Sequence, residues 1–317
     1  MFPGFFRGFY FVPIPLLYFE HLCFRYQFVL SFAIMDFEKQ LQQLIKNALA
    51  EDMGDGDHST LSSIDKDAEG KAILKIKENG ILAGLYVAEK IFSYMQPNIL
   101  FTAFKKDGDA MQYGETAFEV NAKVHTILQC ERLVLNCMQR MSGIATLTHQ
   151  YTKKLQPYKT RLLDTRKTTP NMRLFEKAAV LIGGGANHRM RLDDMMLIKD
   201  NHIEANGGII NTMEKLKKLG NKINVPVEIE VKDLEELGIV AESGKGIVDR
   251  VMLDNFPVED VKRAVEICDG NFEIEVSGGI SLDNISRYKK IKGVDFISSG
   301  ALTHSVKSID ISLEFIT

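Results

Sequence analysis

Between Leu163 and His202 the chain sets Arg166, Lys167, Arg173, Arg189, Arg191 and Lys199, with His188 and His202, among five carboxylates. Arginine offers a planar fork that grips a carboxylate or phosphate through two hydrogen bonds, and lysine and histidine add point donors from other directions. Such a local excess of cations suits a small substrate with several negative charges, for example a dianionic ring acid. Charged side chains are most often solvated surface. Here, however, they alternate with Thr168-Thr169-Pro170, Gly183-Gly184-Gly185 and an apolar Met195-Met196-Leu197-Ile198 run ending at Lys199. That interleaving places them in loops at the ends of buried strands.

The elements that must carry these loops are legible after Arg161. Apolar stretches RLLD, MMLIKD, VEIEV, RVMLD, FEIEVSGG and VDFISSG alternate with helical ones such as GIINTMEKLKKLG and VEDVKRAVEIC. Strands alternating with helices indicate parallel βα units. Their polar residues, Asp164, Lys199, Glu230, Asp254, Ser277-Gly278-Gly279 and Ser299-Gly300, fall at the strand ends. In a βα barrel those ends converge on one face, where the chemistry is found. An open doubly wound sheet would use a similar edge, but no GxGxxG follows a first strand, so the barrel is favoured.

The last two strand ends carry small residues ahead of expected helix starts, SGGISLDN and SSGALTHS. Glycine lets backbone N–H groups approach an anion, a helix N-terminus adds its positive end, and barrels often bind phosphate at this place. Glu230 and Asp254 end neighbouring strands, a pairing suited to a magnesium ion that also takes substrate phosphate oxygens.

Upstream, Phe37, Leu41, Leu44, Ile45, Ala48 and Leu49 recur at helical spacing and predict a surface helix, followed by a Gly/Asp turn in which His58 is a turn or cap residue. From Lys71 to Val124 the alternation in ILKIK and FEVNAKV predicts half-exposed strands, with a helix over Tyr86 to Met95. Glu131 to Leu155 predicts one long helix or two abutting ones, with Leu133, Leu135, Met138, Met141, Ile144 and Leu147 in the core.

With 317 residues the chain holds one large or two ordinary domains. A net charge of −3 argues against general nucleic-acid binding and leaves small molecules and other subunits as partners. Cys23, Cys130, Cys137 and Cys268 form no CxxC pair and no zinc spacing, so they are expected to be reduced in a cytoplasmic protein. Residues 1–34 are aromatic-rich, with three prolines and only Arg7, Glu20 and Arg25 as formal charges. They lack the clear parts of a signal peptide, and Pro13, Pro15, Glu20, His21 and Arg25 interrupt any membrane span. The favoured reading is a non-core leader ahead of a translation start at Met35.

The motifs DTRKTTP, GGGANHR, LIKDNH, EIEV, MLDNF, EVSGGI and SSGALTHS, in this order, together with ENGILAG and ERLVLNCMQRMSGIAT, resemble those of the quinolinate phosphoribosyltransferase family over roughly Phe37 to Phe315. The resemblance implies an α/β fold: an incomplete TIM-like βα barrel over residues 132–304, with an amino-terminal α/β sandwich domain over residues 35–131 plus 305–317. It implies joining quinolinate to phosphoribosyl pyrophosphate, with nicotinate mononucleotide, pyrophosphate and carbon dioxide as products, in de novo NAD biosynthesis. Magnesium is the implied cofactor.

By the same resemblance Arg166, Lys167, His188, Arg189 and Lys199 surround quinolinate and the reacting centre. Arg132 reaches into a partner subunit's site, which implies a homodimer or a dimer-based hexamer. Glu230 and Asp254 serve the ribose and metal, and Ser277, Gly278, Gly279, Ser299, Gly300 and His304 form the phosphate loops. Lys167 and Lys199 are expected to act as fixed positive charges. Three rivals stay open on the residues alone. One is a molybdenum-associated phosphoribosyltransferase with another acceptor, the second a silent barrel that binds anionic metabolites, and the third a Schiff-base aldolase using Lys199.

Overall fold

The computed structural model describes residues 25–316. Of the aromatic leader, residues 1–24, Cys23 included, lie outside the described residues. The helix expected from Phe37 is α1 (Arg25–Met53), whose backbone runs continuously through Met35. Leu41, Ile45 and Leu49, one turn apart, are its buried stripe. Next come α2 (His58–Ser63), β1 (Glu69–Ile76), β2 (Gly80–Ile81), α3 (Leu85–Met95), β3 (Leu100–Ala103), β4 (Ala110–Met111), β5 (Thr116–Lys123) and α4 (Val124–Leu155). His58 opens α2 directly after its cap, Asp57, whose side chain accepts the Thr60 N–H. The remaining elements are β6 (Arg161–Leu163), α5 (Arg173–Ile182), β7 (Met196–Ile198), α6 (Asp200–Ala205), α7 (Ile209–Leu219), β8 (Val227–Val231), α8 (Leu234–Ser243), β9 (Arg250–Asp254), α9 (Val258–Cys268), β10 (Glu273–Ser277), β11 (Phe296–Ser298), α10 (Ala301–His304) and β12 (Ile311–Ile316).

Two compact units make up the chain: one holds residues up to Thr146 with Pro170–Gly183 and Val306–Thr317, the other Leu147–Thr169 and Gly184–Ser305. The expected boundary at residue 131/132 falls inside α4, a single 32-residue helix, and the units part further along it, after Thr146. The helix also starts earlier than its apolar spacing suggests, because β5 runs straight into it at Lys123. Val134 and Cys137 are buried on it alongside Leu135, Met138, Met141 and Ile144, whereas Leu133 and Leu147 are only half-buried.

The first unit is built on an antiparallel sheet of order β12-β1-β5-β3. Ala72, Leu74 and Ile76 of β1 are buried at every second position, as a sheet with one covered face requires. Phe92, Phe101 and Phe118 pack as an aromatic cluster, with ring centroids of 4.6 Å for Phe101–Phe118 and 6.2 Å for Phe92–Phe118. The carboxyl-terminal β12 pairs with β1 from Lys71↔Ile316 to Ile76↔Ile311, so the chain's last strand completes its first unit. Helix α5 belongs to this unit too, and Arg140 Nε and Nη2 of α4 donate to its buried Glu176 Oε1 at 3.0 and 2.9 Å.

The second unit holds a parallel sheet of order β6-β11-β10-β9-β8-β7. An added parallel bridge, Leu163↔Ala186, sets the Ala186 strip beside β6. From β7 to β11 neighbours follow in sequence order, β11 pairs back to β6, and among the described residues no pairing joins Ala186 to β7. That is an incomplete βα barrel, as expected. The helix expected after β10 is not formed; a single 3₁₀ turn, Ile285–Arg287, stands there instead. Asn284 explains this, because its Oδ1 accepts the Ser281 N–H at 2.9 Å and its Nδ2 donates to Gly279 O at 2.8 Å, closing a side-chain turn that competes with a helix start.

Candidate active site

All six barrel strands run in one direction, so the residue after or ending each faces the same end of the barrel. A cavity of about 780 Å³ opens there. Arg166 and Lys167 follow β6, His188 and Arg189 follow the Ala186 strip, Lys199 follows β7, and Glu230, Asp254 and Ser277 lie on β8, β9 and β10. Gly278, Gly279, Ser299, Gly300 and His304 complete the expected lining. Of the expected site residues only Arg132 does not line the cavity; it is exposed on α4. Three cations of the opening cluster also stay outside. Arg191 is exposed and pairs with Asp193 at 2.9 Å, Arg173 starts α5, and His202 Nδ1 accepts the Lys199 N–H at 2.9 Å as part of the α6 cap.

Arg166, Lys167, Arg189 and Lys199 therefore share the cavity with the carboxylates of Glu230, Asp254 and the buried Glu275. Lys199 Nζ lies 3.2 Å from Glu230 Oε2. Burial raises the Glu230 carboxyl above its usual range, the Lys199 charge opposes that, and Asp254 adds to it. Burial first, and the nearby Arg166 charge second, lower Arg189 from its ordinary value. Asp254 Oδ2 accepts from Asn255 Nδ2 at 2.7 Å.

The glycine loop after β10 needs its glycines. Gly278 has φ +89°, and a Cβ there would sit 2.6 Å from the Asn255 backbone nitrogen, itself donating to Ser277 O at 2.9 Å. A Cβ on Gly300 would meet Lys167 Cδ at 2.8 Å. Thr303 Oγ1 donates to Lys167 O at 2.8 Å, tying the last loop to the first.

At the buried floor of the cavity lie acids that sequence reasoning did not single out. Glu228 and Glu275 are fully buried inside the barrel, and burial pushes both carboxyls up to about 7. His188 Nε2 stands 2.9 Å from Glu228 Oε2 and 3.6 Å from Glu275 Oε2. Arg250 Nη1 reaches Glu275 Oε2 at 3.3 Å, and the guanidinium lies 4.0 Å from the Phe296 ring centroid. Buried Asp164 accepts the His188 N–H at 2.9 Å and the Asn187 amide at 2.5 Å. The signal was present: Glu228 precedes Glu230, and Glu275 precedes Ser277, by two residues, and strand residues two apart share a face. The ligand atoms of His188, Glu228 and Glu275 lie within 4.8 Å of one another, yet Arg250 already supplies a cation to that cluster.

Cys130, Cys137 and Cys268 are buried and unpaired, and burial pushes the first two thiols up to about 12 and the third to about 11, so none is a poised nucleophile. No helix among the described residues is long and apolar enough to cross a membrane.

Residues 57–142 match the family described as "Quinolinate phosphoribosyl transferase, N-terminal domain", and residues 144–314 match "Quinolinate phosphoribosyl transferase, C-terminal domain". A chloroplastic nicotinate-nucleotide pyrophosphorylase (carboxylating) of Arabidopsis thaliana is 44% identical over 292 residues, covering 87% of this chain and 83% of that protein. A probable nicotinate-nucleotide pyrophosphorylase (carboxylating) of Bacillus subtilis is 40% identical over 276 residues, covering 87% and 93%. Among solved structures, NadC from Streptococcus pyogenes superposes with a TM-score of 0.81 at 39% identity, covering 88% of this chain and 98% of that one. The nicotinate-nucleotide pyrophosphorylase of Francisella tularensis gives 0.80 at 41%, covering 88% and 96%.

Proposed function

The chain belongs to the quinolinate phosphoribosyltransferase family, and from that premise we propose that it converts quinolinate and phosphoribosyl pyrophosphate to nicotinate mononucleotide, pyrophosphate and carbon dioxide, a step of NAD biosynthesis. The observation that carries the reading is a single cavity lined by Arg166, Lys167, Arg189 and Lys199, by Glu230 and Asp254, and by the two glycine loops. Four cations suit an acceptor with two carboxylates; a monocarboxylate would leave part of that charge unpaired.

Quinolinate is held by the cationic wall with its ring nitrogen turned to the anomeric carbon of the sugar. The loops at Ser277-Gly278-Gly279 and Ser299-Gly300, with His304, hold the ribose phosphate through backbone N–H groups and a side-chain donor. As pyrophosphate leaves, positive charge grows on the ribose, and the fixed carboxylates of Glu230 and Asp254 stabilise it. The ring nitrogen bonds to the sugar and becomes a pyridinium, whose electron demand favours loss of the adjacent carboxylate as carbon dioxide. No protein nucleophile is needed, so positioning carries much of the rate.

Glu230 and Asp254 fit the implied magnesium ion, since two carboxylates lining the phosphate side of a cavity are the hard oxygen donors it takes together with substrate oxygens. Bound there, magnesium supplies charge neutralisation for the departing pyrophosphate. The proposed assembly is a homodimer, or dimers joined into a hexamer, in which Arg132 serves the partner's site; its exposure on α4 supports this. A cytoplasmic location accords with the three buried, unpaired thiols.

The test offers purified protein phosphoribosyl pyrophosphate and magnesium with quinolinate or nicotinate, resolving nicotinate mononucleotide by chromatography. Product is expected from quinolinate alone; product from nicotinate at a comparable rate, or from neither, contradicts the reading. A borohydride-trapped adduct at Lys199 would favour the aldolase instead.

A further inference from the structure

Strand β9 passes into α9 through only Asn255, Phe256 and Pro257. Phe256 is buried, and Pro257 caps the helix with φ −58°. The chain turns at Asn255, whose φ of +57° is a left-handed conformation that asparagine adopts more readily than most side chains. Asn255 follows Asp254 directly and lines the cavity. Glycine would serve such a turn better still, so the turn alone does not account for an asparagine.

Its contacts do. The Asn255 N–H donates to Ser277 O at 2.9 Å, where the glycine loop after β10 begins. Its side-chain amide donates to Asp254 Oδ2 at 2.7 Å, the only hydrogen bond that the described residues give to the Asp254 carboxylate. The same amide fills the space a side chain on Gly278 would take, since a Cβ there would lie 2.5 Å from Asn255 Cγ. Asparagine meets all of these demands. Aspartate tolerates the turn but would set a second negative charge against Asp254, and glycine has no side-chain donor.

We propose that Asn255 is a positioning residue: anchored by its backbone to Ser277, it uses its side-chain amide to hold the Asp254 carboxylate in a fixed place relative to the Gly278 loop, so that a sugar phosphate seated in the loop brings the ribose to an acid already in position. This rests on the reading of the cavity as a site for quinolinate and phosphoribosyl pyrophosphate. The bond engages Oδ2 alone and leaves Oδ1 for the sugar. A carboxylate that must reorient during the reaction stabilises developing positive charge less than one already in place.

The experiment compares Asn255→Gly with Asn255→Asp and reads binding apart from turnover. Glycine keeps the left-handed turn and the N–H to Ser277 but removes the amide; aspartate keeps the turn and the shape but replaces the donor with a like charge. Both are expected to bind quinolinate within about twofold of the parent by calorimetry. Both should lose kcat by at least about tenfold, aspartate more than glycine, while the KM for phosphoribosyl pyrophosphate moves by less than about threefold. In ligand-free crystals Asp254 is expected in a single rotamer bonded to Asn255 in the parent, and in a different rotamer or several in Asn255→Gly. A residue that served only the turn would move neither kcat nor that rotamer in the glycine variant.

An Asn255→Gly protein with kcat within about threefold of the parent would overturn the proposal, as would an unchanged Asp254 rotamer in it. A loss confined to the KM for phosphoribosyl pyrophosphate would also overturn it, by making Asn255 a substrate contact. Should both variants fail to fold, the parent crystal decides, because Asp254 in several rotamers there contradicts the proposal. If the parent makes no nicotinate mononucleotide from quinolinate, the fault lies with the reading of the cavity, and the rotamer comparison still tests the hold on Asp254.

Discussion

Lys199 and Glu230 lie 3.2 Å apart at the ends of adjacent strands, where the proposed reaction brings the acceptor's charge and the sugar's developing charge together. Removing the lysine charge while keeping its bulk, Lys199→Met, should lower kcat/KM for quinolinate by roughly 10²- to 10³-fold in steady-state assays, the scale of one lost preorganised electrostatic contact. Normal turnover would refute the role assigned to it. Below them, Glu275 binds its proton more tightly when folded than when unfolded, its pKa being raised to about 7 from 4.5, mainly by burial. The folded chain then holds the extra proton between those values, so this group's contribution to stability is full below pH 4.5 and is lost as pH rises through about 7. Glu275→Gln should flatten that fall: melting temperatures of variant and parent, measured from about pH 5 to about pH 8, should differ in slope, and parallel curves would contradict the assignment. The cations were legible in the sequence because their types suit anions, and the strand-end acids because carboxylates there suit a cation or developing positive charge. The inner acids were not, since a glutamate inside VEIEV looks like an exposed strand position until the barrel closes around it.

Strands do most to place the site, and loops finish it. Each barrel strand presents its last side chains at one end, which is why the alternation of apolar runs with polar ends revealed the fold early. The loops were harder. The SGGISLDN segment has the composition of a helix start, yet Asn284 takes up the Ser281 and Gly279 backbone groups and leaves only a 3₁₀ turn. What that loop requires is room. Gly278→Ala forces a side chain into φ +89° against Asn255, at a cost of about 1–3 kcal/mol. Its expected signature is a rise of at least about tenfold in the KM for phosphoribosyl pyrophosphate, with quinolinate binding measured by calorimetry changed much less. Equal damage to both would mean the loop does not serve the phosphate side. In α4 the apolar spacing gave the right helix but not its start, because no breaker separates β5 from it.

At the scale of the molecule, one arginine stands apart from the cavity it is expected to serve. Arg132 is exposed on α4, and the proposed assembly brings it to a partner's cavity. Arg132→Ala and Lys199→Met proteins, each nearly inactive, should regain activity when unfolded together and reassembled, since a mixed dimer contains one intact site; about one site in four is expected for random pairing. No recovery, with mixed dimers demonstrated by mass spectrometry, would place Arg132's effect within its own subunit. The central claim concerns the reaction itself. Quinolinate labelled in the carboxylate beside the ring nitrogen, supplied with phosphoribosyl pyrophosphate and magnesium, allows released carbon dioxide and nucleotide to be counted together. One labelled carbon dioxide for each nicotinate mononucleotide formed is the predicted result; nucleotide that retains the label, or no nucleotide from folded protein, would contradict it.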